Sequence, residues 1–159
     1  MNIPKLPPAL LRAYGLTLDA LCDALLLGIR AYIVWVFFHA GLTKIDDWSS
    51  TTALFQYEYS VPLLPPAIAA ILGTAGELLL PPLLLLGLGT RFAALGLFIV
   101  NAMAVISYPA LWDFECPAAI QSHFFWGALL LVVLTMGGGR LAADHWLRRM
   151  CSLKSAQKD

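Results

Sequence analysis

The chain has 159 residues, of which 60% are hydrophobic and 13% charged, and its ten basic residues balance ten acidic ones. Soluble domains are about 45–50% apolar and about 25% charged, so this chain has more apolar surface than one small core can bury. The composition excludes intrinsic disorder, and the neutral charge balance argues against nucleic-acid binding. We therefore expect a single integral membrane domain over residues 1–159.

Four stretches are long and apolar enough to cross a membrane, which takes about 20 residues. They lie at about residues 24–43, 67–88, 92–110 and 120–138. Because backbone polar groups in lipid must be satisfied within each segment, the sequence predicts an all-α, integral membrane four-helix bundle. The loop after the first span predicts a short amphipathic helix that starts near Ser49 or Ser50. Residues 1–23 and 140–159 are expected to be tails at the membrane interface.

The distribution of lysine and arginine predicts the orientation of the bundle. With four spans, both termini and the turn between the second and third spans share one side of the membrane. That side carries Lys5, Arg12, Arg91, Arg140, Arg148, Arg149, Lys154 and Lys158, whereas the opposite loops carry Lys44. Basic residues concentrate in cytoplasmic loops, so we expect both termini to be cytoplasmic and the short amphipathic helix to lie in the first outer loop.

Three strongly polar residues lie deep inside the predicted spans, namely Arg30, Glu77 and Asn101. Polar and ionisable groups in hydrocarbon are costly, which makes these residues a candidate functional site. Glu77 and Asn101 lie near the predicted midplane, and Arg30 lies about four residues to the cytoplasmic side. We expect an Arg30–Glu77 ion pair with Asn101 as a further partner. This pair would either fix helix packing or line a pocket that binds a quinone, a lipid headgroup or a proton.

Two histidines and one cysteine form a second group of candidates near the outer face. His39 and His123 are predicted at similar depth, and Cys116 is the cysteine on that side. Such side chains can ligate haem, copper or zinc, or hold a quinone carbonyl. Interfacial histidines that bond to backbone or headgroups give the same pattern, and no paired-ligand spacing favours a metal centre.

The order of several short motifs resembles the DoxX family of small bacterial membrane proteins. After Arg30 come FFHAGLTKI (37–45), FQYEYSVPLLPP (55–66), GELLLPPLLLLGLGTRFAALGL (76–97) and the span with Asn101, and the tail from SHFFWGALLLVV to GGGRLAADHWLRR is similar to one branch. The resemblance extends over residues 25–149 and implies a four-helix bundle in the bacterial inner membrane. It also marks Lys44 and Arg91, with Arg30 and Glu77, as recurrent polar positions.

The resemblance implies a function linked to membrane redox or stress chemistry. Some members of the family are named as a small subunit of thiosulfate:quinone oxidoreductase, others are linked to redox complexes that resist oxidative stress, and certain branches accompany metal-stress genes. The implied function is an accessory subunit, at most one part of an oxidoreductase complex, with lipids and a redox or stress protein as partners. A quinone is the leading cofactor candidate, ahead of haem or copper, and homo-oligomerisation stays open.

Two other functions remain open from the sequence. A charge at the midplane and a proline-interrupted second span are also found in transporters, so a small-solute or metal carrier or exporter is one alternative. A non-catalytic membrane scaffold is the other, because membership of a family does not fix function.

Overall fold

Four long apolar helices dominate the structure. The computed structural model describes residues 7–113 and 117–155, and every regular element in this part of the chain is α-helical. The helices are α1 (Pro8–Asp46), α2 (Trp48–Tyr57), α3 (Pro66–Leu86), α4 (Thr90–Ser107), α5 (Ala110–Asp113), α6 (Ala118–Met136) and α7 (Ala143–Ser155). α1, α3, α4 and α6 are long and apolar enough to cross a membrane, which confirms the four predicted spans. The chain is a multi-pass helical membrane protein.

The four spanning helices pack in the order α1, α3, α4, α6, and α6 returns to contact α1. The buried core between them consists of Ile33, Phe37, Leu84, Ala93, Ala94, Leu97, Leu130 and Val133. Small residues set the closest approaches, as in other membrane bundles. A Cβ atom at Gly96 of α4, for example, would lie 2.6 Å from the Leu80 side chain of α3.

The first helix is longer than the sequence predicts. It begins at Pro8, whereas the predicted span begins near residue 24, so residues 8–23 of the expected interfacial tail are the first part of the same helix. Proline at the first helical position suits a helix start, and no further proline interrupts the chain up to Asp46. The large apolar residues of this early part, such as Leu10 and Tyr14, are exposed.

The short helix α2 begins where the sequence predicts it. Asp47 is its N-cap, and the carboxylate accepts hydrogen bonds from the Ser50 amide (2.9 Å) and from the hydroxyls of Ser49 and Ser50. The side-chain and backbone hydrogen bonds from Ser50, together with those from Ser49, lower the pKa of Asp47 to about 2. Phe55 then packs α2 against the buried Ala69 and Ala70 of α3.

A second cap ties α7 to the turn between α3 and α4. Gly87 and Gly89 adopt positive φ angles of 73° and 57° in this turn, where glycine meets no steric penalty. The Asp144 carboxylate accepts from the amides of Gly89 and Thr90 and from the Thr90 hydroxyl, each at 2.8 Å. Burial opposes ionisation of Asp144, but these hydrogen bonds outweigh it and lower its pKa.

The two ends of the bundle differ in charge. We call the end that contains the α3–α4 turn, Arg91 and Arg140 the basic end. The opposite end, with Asp46, Asp47 and Glu58, is called the acidic end. Asp144 therefore caps α4 at the basic end, where three separate chain segments meet.

Replacement of Asp144 by alanine should lower stability by about 1–2 kcal/mol, the effect of a lost N-cap, because it removes the α7 carboxylate that accepts from the first amides of α4. The measurement is thermal unfolding in detergent at several pH values. Since the folded pKa lies below the ordinary 3.8, the stabilisation is present above that value and is lost as pH falls through the folded pKa. The stability of Asp144→Asn, which keeps one acceptor oxygen, should lie between those of wild type and Asp144→Ala. If wild type stays more stable than Asp144→Ala by the same amount well below pH 3.8, this role of Asp144 is wrong.

Candidate functional site

An ion pair between α1 and α3 lies inside the bundle. The Lys44 ammonium is 2.5 Å from a carboxylate oxygen of Glu77, which is buried. Gly41, one turn before Lys44, allows this approach because a Cβ there would lie 2.9 Å from the Leu78 side chain and 3.1 Å from the Glu77 Cβ. The close contact of the two helices brings the lysine side chain to the carboxylate.

The predicted Arg30–Glu77 ion pair is wrong. Arg30 is fully buried at the basic end, where one guanidinium nitrogen, Nη1, lies 3.5 Å from the Leu84 carbonyl and 3.4 Å from the Leu85 carbonyl. Arg30 and Lys44 are 14 residues apart, or about 21 Å along the helix. The prediction failed because α1 continues beyond both ends of the stretch 24–43, which displaces Arg30 from the depth assigned to it.

Arg30 acts instead on the end of α3. Its charge lies beside the last carbonyls of that helix, where the helix dipole favours a cation. The same guanidinium interacts electrostatically with Asp144 across the α3–α4 turn. Its Nε and Nη2 atoms are buried without a hydrogen-bond partner among the described residues. Arg30 thus belongs to the basic end and is separate from Glu77.

Asn101 and His123 form a second buried polar contact, between α4 and α6. The Asn101 amide nitrogen donates to the His123 carbonyl at 2.9 Å, and its oxygen lies 2.9 Å from His123 Nδ1. Because the amide nitrogen is the donor, the amide oxygen must accept, so Nδ1 carries the imidazole proton. Nε2 then keeps its lone pair. Gly127 permits the approach, since a Cβ there would lie 3.4 Å from the asparagine nitrogen.

The two contacts form one group of side chains. The charge of Lys44 acts on the His123 ring, which places the ion pair and the imidazole within electrostatic range of each other. We call Lys44, Glu77, Asn101 and His123 the polar cluster. The His123 ring also meets Trp126 edge-on at 4.9 Å.

Stacked aromatic rings lie beside the polar cluster towards the acidic end. Tyr59 stacks between Phe55 at 4.7 Å and Tyr108 at 5.0 Å between ring centroids. Burial and the negative charge of Glu77 raise the pKa of Tyr59, so its phenol stays neutral and lies within range of the carboxylate. The stack ends at the half-buried Tyr108, whose hydroxyl donates to Glu58 at 3.2 Å.

The other predicted site residues lie elsewhere. His39 stacks on Trp35 of its own helix at 5.7 Å, and the described contacts do not join it to His123. Arg91 is at the basic end and donates to the Thr135 carbonyl at 3.0 Å. Cys116 lies outside the described residues. In residues 7–113 and 117–155, no group of three or more histidine, cysteine or acidic residues is arranged to hold a metal ion.

Sequence reasoning treated Lys44 and His123 as unrelated positions and so missed the cluster they share. Lys44 was a position of the family pattern, and His123 was an outer ligand candidate. A usable signal was the spacing of Gly41 and Lys44, because a glycine one turn from a lysine permits close helix contact on that face. The glycine at 127, one turn after His123, is the matching signal on α6.

A double-mutant cycle should show coupling between Lys44 and Glu77. Each change to leucine leaves the other charge uncompensated in a buried setting, which destabilises more than loss of the pair does. We expect a coupling energy of about 1–3 kcal/mol from thermal or denaturant unfolding in detergent. The matched cycle of Arg30→Leu with Glu77→Leu should give additive effects. Coupling of Glu77 to Arg30 in place of Lys44 would contradict the structure.

Comparison with known proteins places the chain in a family. The family model described as DoxX matches residues 25–110, more than half of the chain. A protein of Haemophilus influenzae, described as an uncharacterized protein, is 31% identical over 135 residues, which cover 82% of this chain and 87% of the relative. No solved structure matches the chain. The family match and the relative confirm the resemblance in the sequence: the chain belongs to the DoxX family.

Proposed function

We propose that this protein is an accessory subunit of a membrane redox or stress-defence system, and that its polar cluster binds the headgroup of a quinol. One observation carries the proposal. Asn101 holds His123 with the proton on Nδ1, so Nε2 keeps a lone pair that accepts no hydrogen bond from the described residues and lies within range of the Lys44 charge.

The polar cluster has the groups that a quinol headgroup needs. Nε2 of His123 can accept the proton of a quinol hydroxyl, because a neutral imidazole is a base of suitable strength. The Lys44 ammonium would stabilise negative charge on the quinol oxygen, while Glu77 balances that ammonium when the site is empty. This chain would bind the headgroup and hold its proton, and electron transfer would fall to the partner subunit.

The surroundings of His123 favour a ligand that arrives from the bilayer. The next two residues along α6, Phe124 and Phe125, are exposed on the outside of the bundle. Quinols dissolve in the hydrocarbon region, so they can reach His123 sideways. With the basic end in the cytoplasm of a bacterial cell, as the positive-inside pattern favours, the polar cluster lies in the outer half of the inner membrane.

Quinol binding by purified full-length protein tests this proposal. His123→Phe keeps an aromatic ring and removes Nε2, together with the Nδ1 hydrogen bond to Asn101. It should weaken binding of a short-chain quinol at least about tenfold, the effect of losing the one hydrogen bond that Nε2 makes to the ligand. His39→Phe is the matched control, since it makes the same change outside the polar cluster. Equal affinity of wild type and His123→Phe, or equal losses in both variants, would contradict the assigned site.

The accessory role is tested separately, by identifying the proteins that are recovered with this chain. Tagged protein taken from native membranes should recover an oxidoreductase subunit in stoichiometric amount, with wild type and His123→Phe alike. If the chain is recovered alone and quinol still binds, the accessory role fails. A chain that recovers a partner without redox cofactors and binds no quinol would be a scaffold.

A further inference from the structure

A cavity at the basic end is separate from the polar cluster. It has a volume of about 280 Å³ and lies where α4 begins, α6 ends and α7 begins. Its walls carry Arg91, Arg140 and Arg148 together with Asp23 and Asp144. This volume is close to the lower end of the roughly 300–1,000 Å³ typical of small-ligand sites.

Both carboxylates in the cavity wall already have partners. Asp144 accepts from the amides of Gly89 and Thr90 and from the Thr90 hydroxyl. Asp23 accepts from the Arg140 amide at 2.8 Å, and its carboxylate is 3.6 Å from the Arg140 guanidinium. Asp23 therefore holds α1 to the loop before α7, and Asp144 holds α7 to the start of α4.

The cations of the cavity are less fully used. Arg91 donates from one guanidinium nitrogen to the Thr135 carbonyl. Arg148 has no hydrogen bond among the described contacts, although its charge acts on Asp144. Behind the wall, Arg30 keeps two buried nitrogens without a partner. Arg140 is paired with both Asp19 and Asp23, so the four arginines at 30, 91, 140 and 148 carry one more charge than the carboxylates at 19, 23 and 144. An anion with several acceptor oxygens would balance this excess.

The position of the cavity indicates where such an anion comes from. Thr90 is the first residue of α4 and Met136 the last of α6, so the cavity lies at the ends of spanning helices, at the depth of lipid headgroups. Three large apolar side chains around it are exposed to the outside, namely Phe92, Met136 and Trp146. They offer acyl chains a surface beside the basic groups, and tryptophan is enriched at this depth.

We propose that the cavity at the basic end binds the phosphate group of an anionic phospholipid, with Arg91 and Arg148 as the phosphate-binding residues. Basic pockets between spanning helices on the cytoplasmic side bind anionic headgroups in this way. A zwitterionic lipid fits less well, because its own cation would lie among the arginines. This proposal does not depend on the polar cluster or on quinol binding.

Lipid retention by the full-length protein tests the proposal. The protein is equilibrated in bilayers with equal amounts of phosphatidylglycerol and phosphatidylcholine, and the lipid that stays bound is measured by native mass spectrometry. Wild type should retain phosphatidylglycerol selectively. Arg91→Gln with Arg148→Gln should lower this selectivity about 25-fold, a factor of about five for each cation removed.

Two further variants and one competitor make the result specific. Arg12→Gln with Arg149→Gln removes the same charge from the same side outside the cavity, and it should keep the selectivity. Arg91→Lys with Arg148→Lys keeps both positive charges and should keep most of the selectivity for phosphatidylglycerol. This variant still tests the proposal if the glutamine variant fails to fold. Excess inorganic phosphate should not displace the lipid. Displacement by phosphate, equal retention of both lipids by wild type, or an equal loss in the outside control would overturn the proposal.

Discussion

Burial of charge in hydrocarbon is the constraint on which the rest of this structure depends. An isolated ammonium or carboxylate inside a bilayer costs several kcal/mol, so each must find an opposite charge or a polar group at its own depth. Lys44 and Glu77 meet this requirement by pairing where Gly41 lets α1 and α3 come into close contact. The position of one glycine therefore determines which charges can be buried together.

The same constraint separates the molecule into two polar regions. At the basic end, Arg30 lies against the last carbonyls of α3, and Asp144 caps the first turn of α4. These groups stabilise helix ends. Within the bundle, the charge of Lys44 acts on the His123 ring, and no described residue donates a hydrogen bond to Nε2 of that ring. This difference is why we propose ligand binding at the polar cluster and helix-end stabilisation by Arg30.

Local signals predicted the helices, whereas long-range contacts determined the site. Apolar length gave the four spans, and the serines at 49 and 50 gave the start of α2. The depth of Arg30 could not be read from the sequence, because helix α1 continues past its apolar stretch at both ends. The partners of Glu77 and Asn101 depend on how closely two helices approach each other. Gly41 and Gly127, which are distant from them in sequence, permit those close approaches. Sequence therefore found three polar residues and paired two of them incorrectly.

Cysteine cross-linking in native membranes tests the central pairing most directly. With Cys22, Cys116 and Cys151 replaced by serine, cysteines are introduced in pairs and joined by a short bifunctional reagent. Lys44→Cys with Glu77→Cys should cross-link efficiently within one chain, whereas Arg30→Cys with Glu77→Cys should not. Efficient linkage of the second pair and none of the first would contradict the arrangement of α1 and α3 described here, and with it the assignment of the polar cluster.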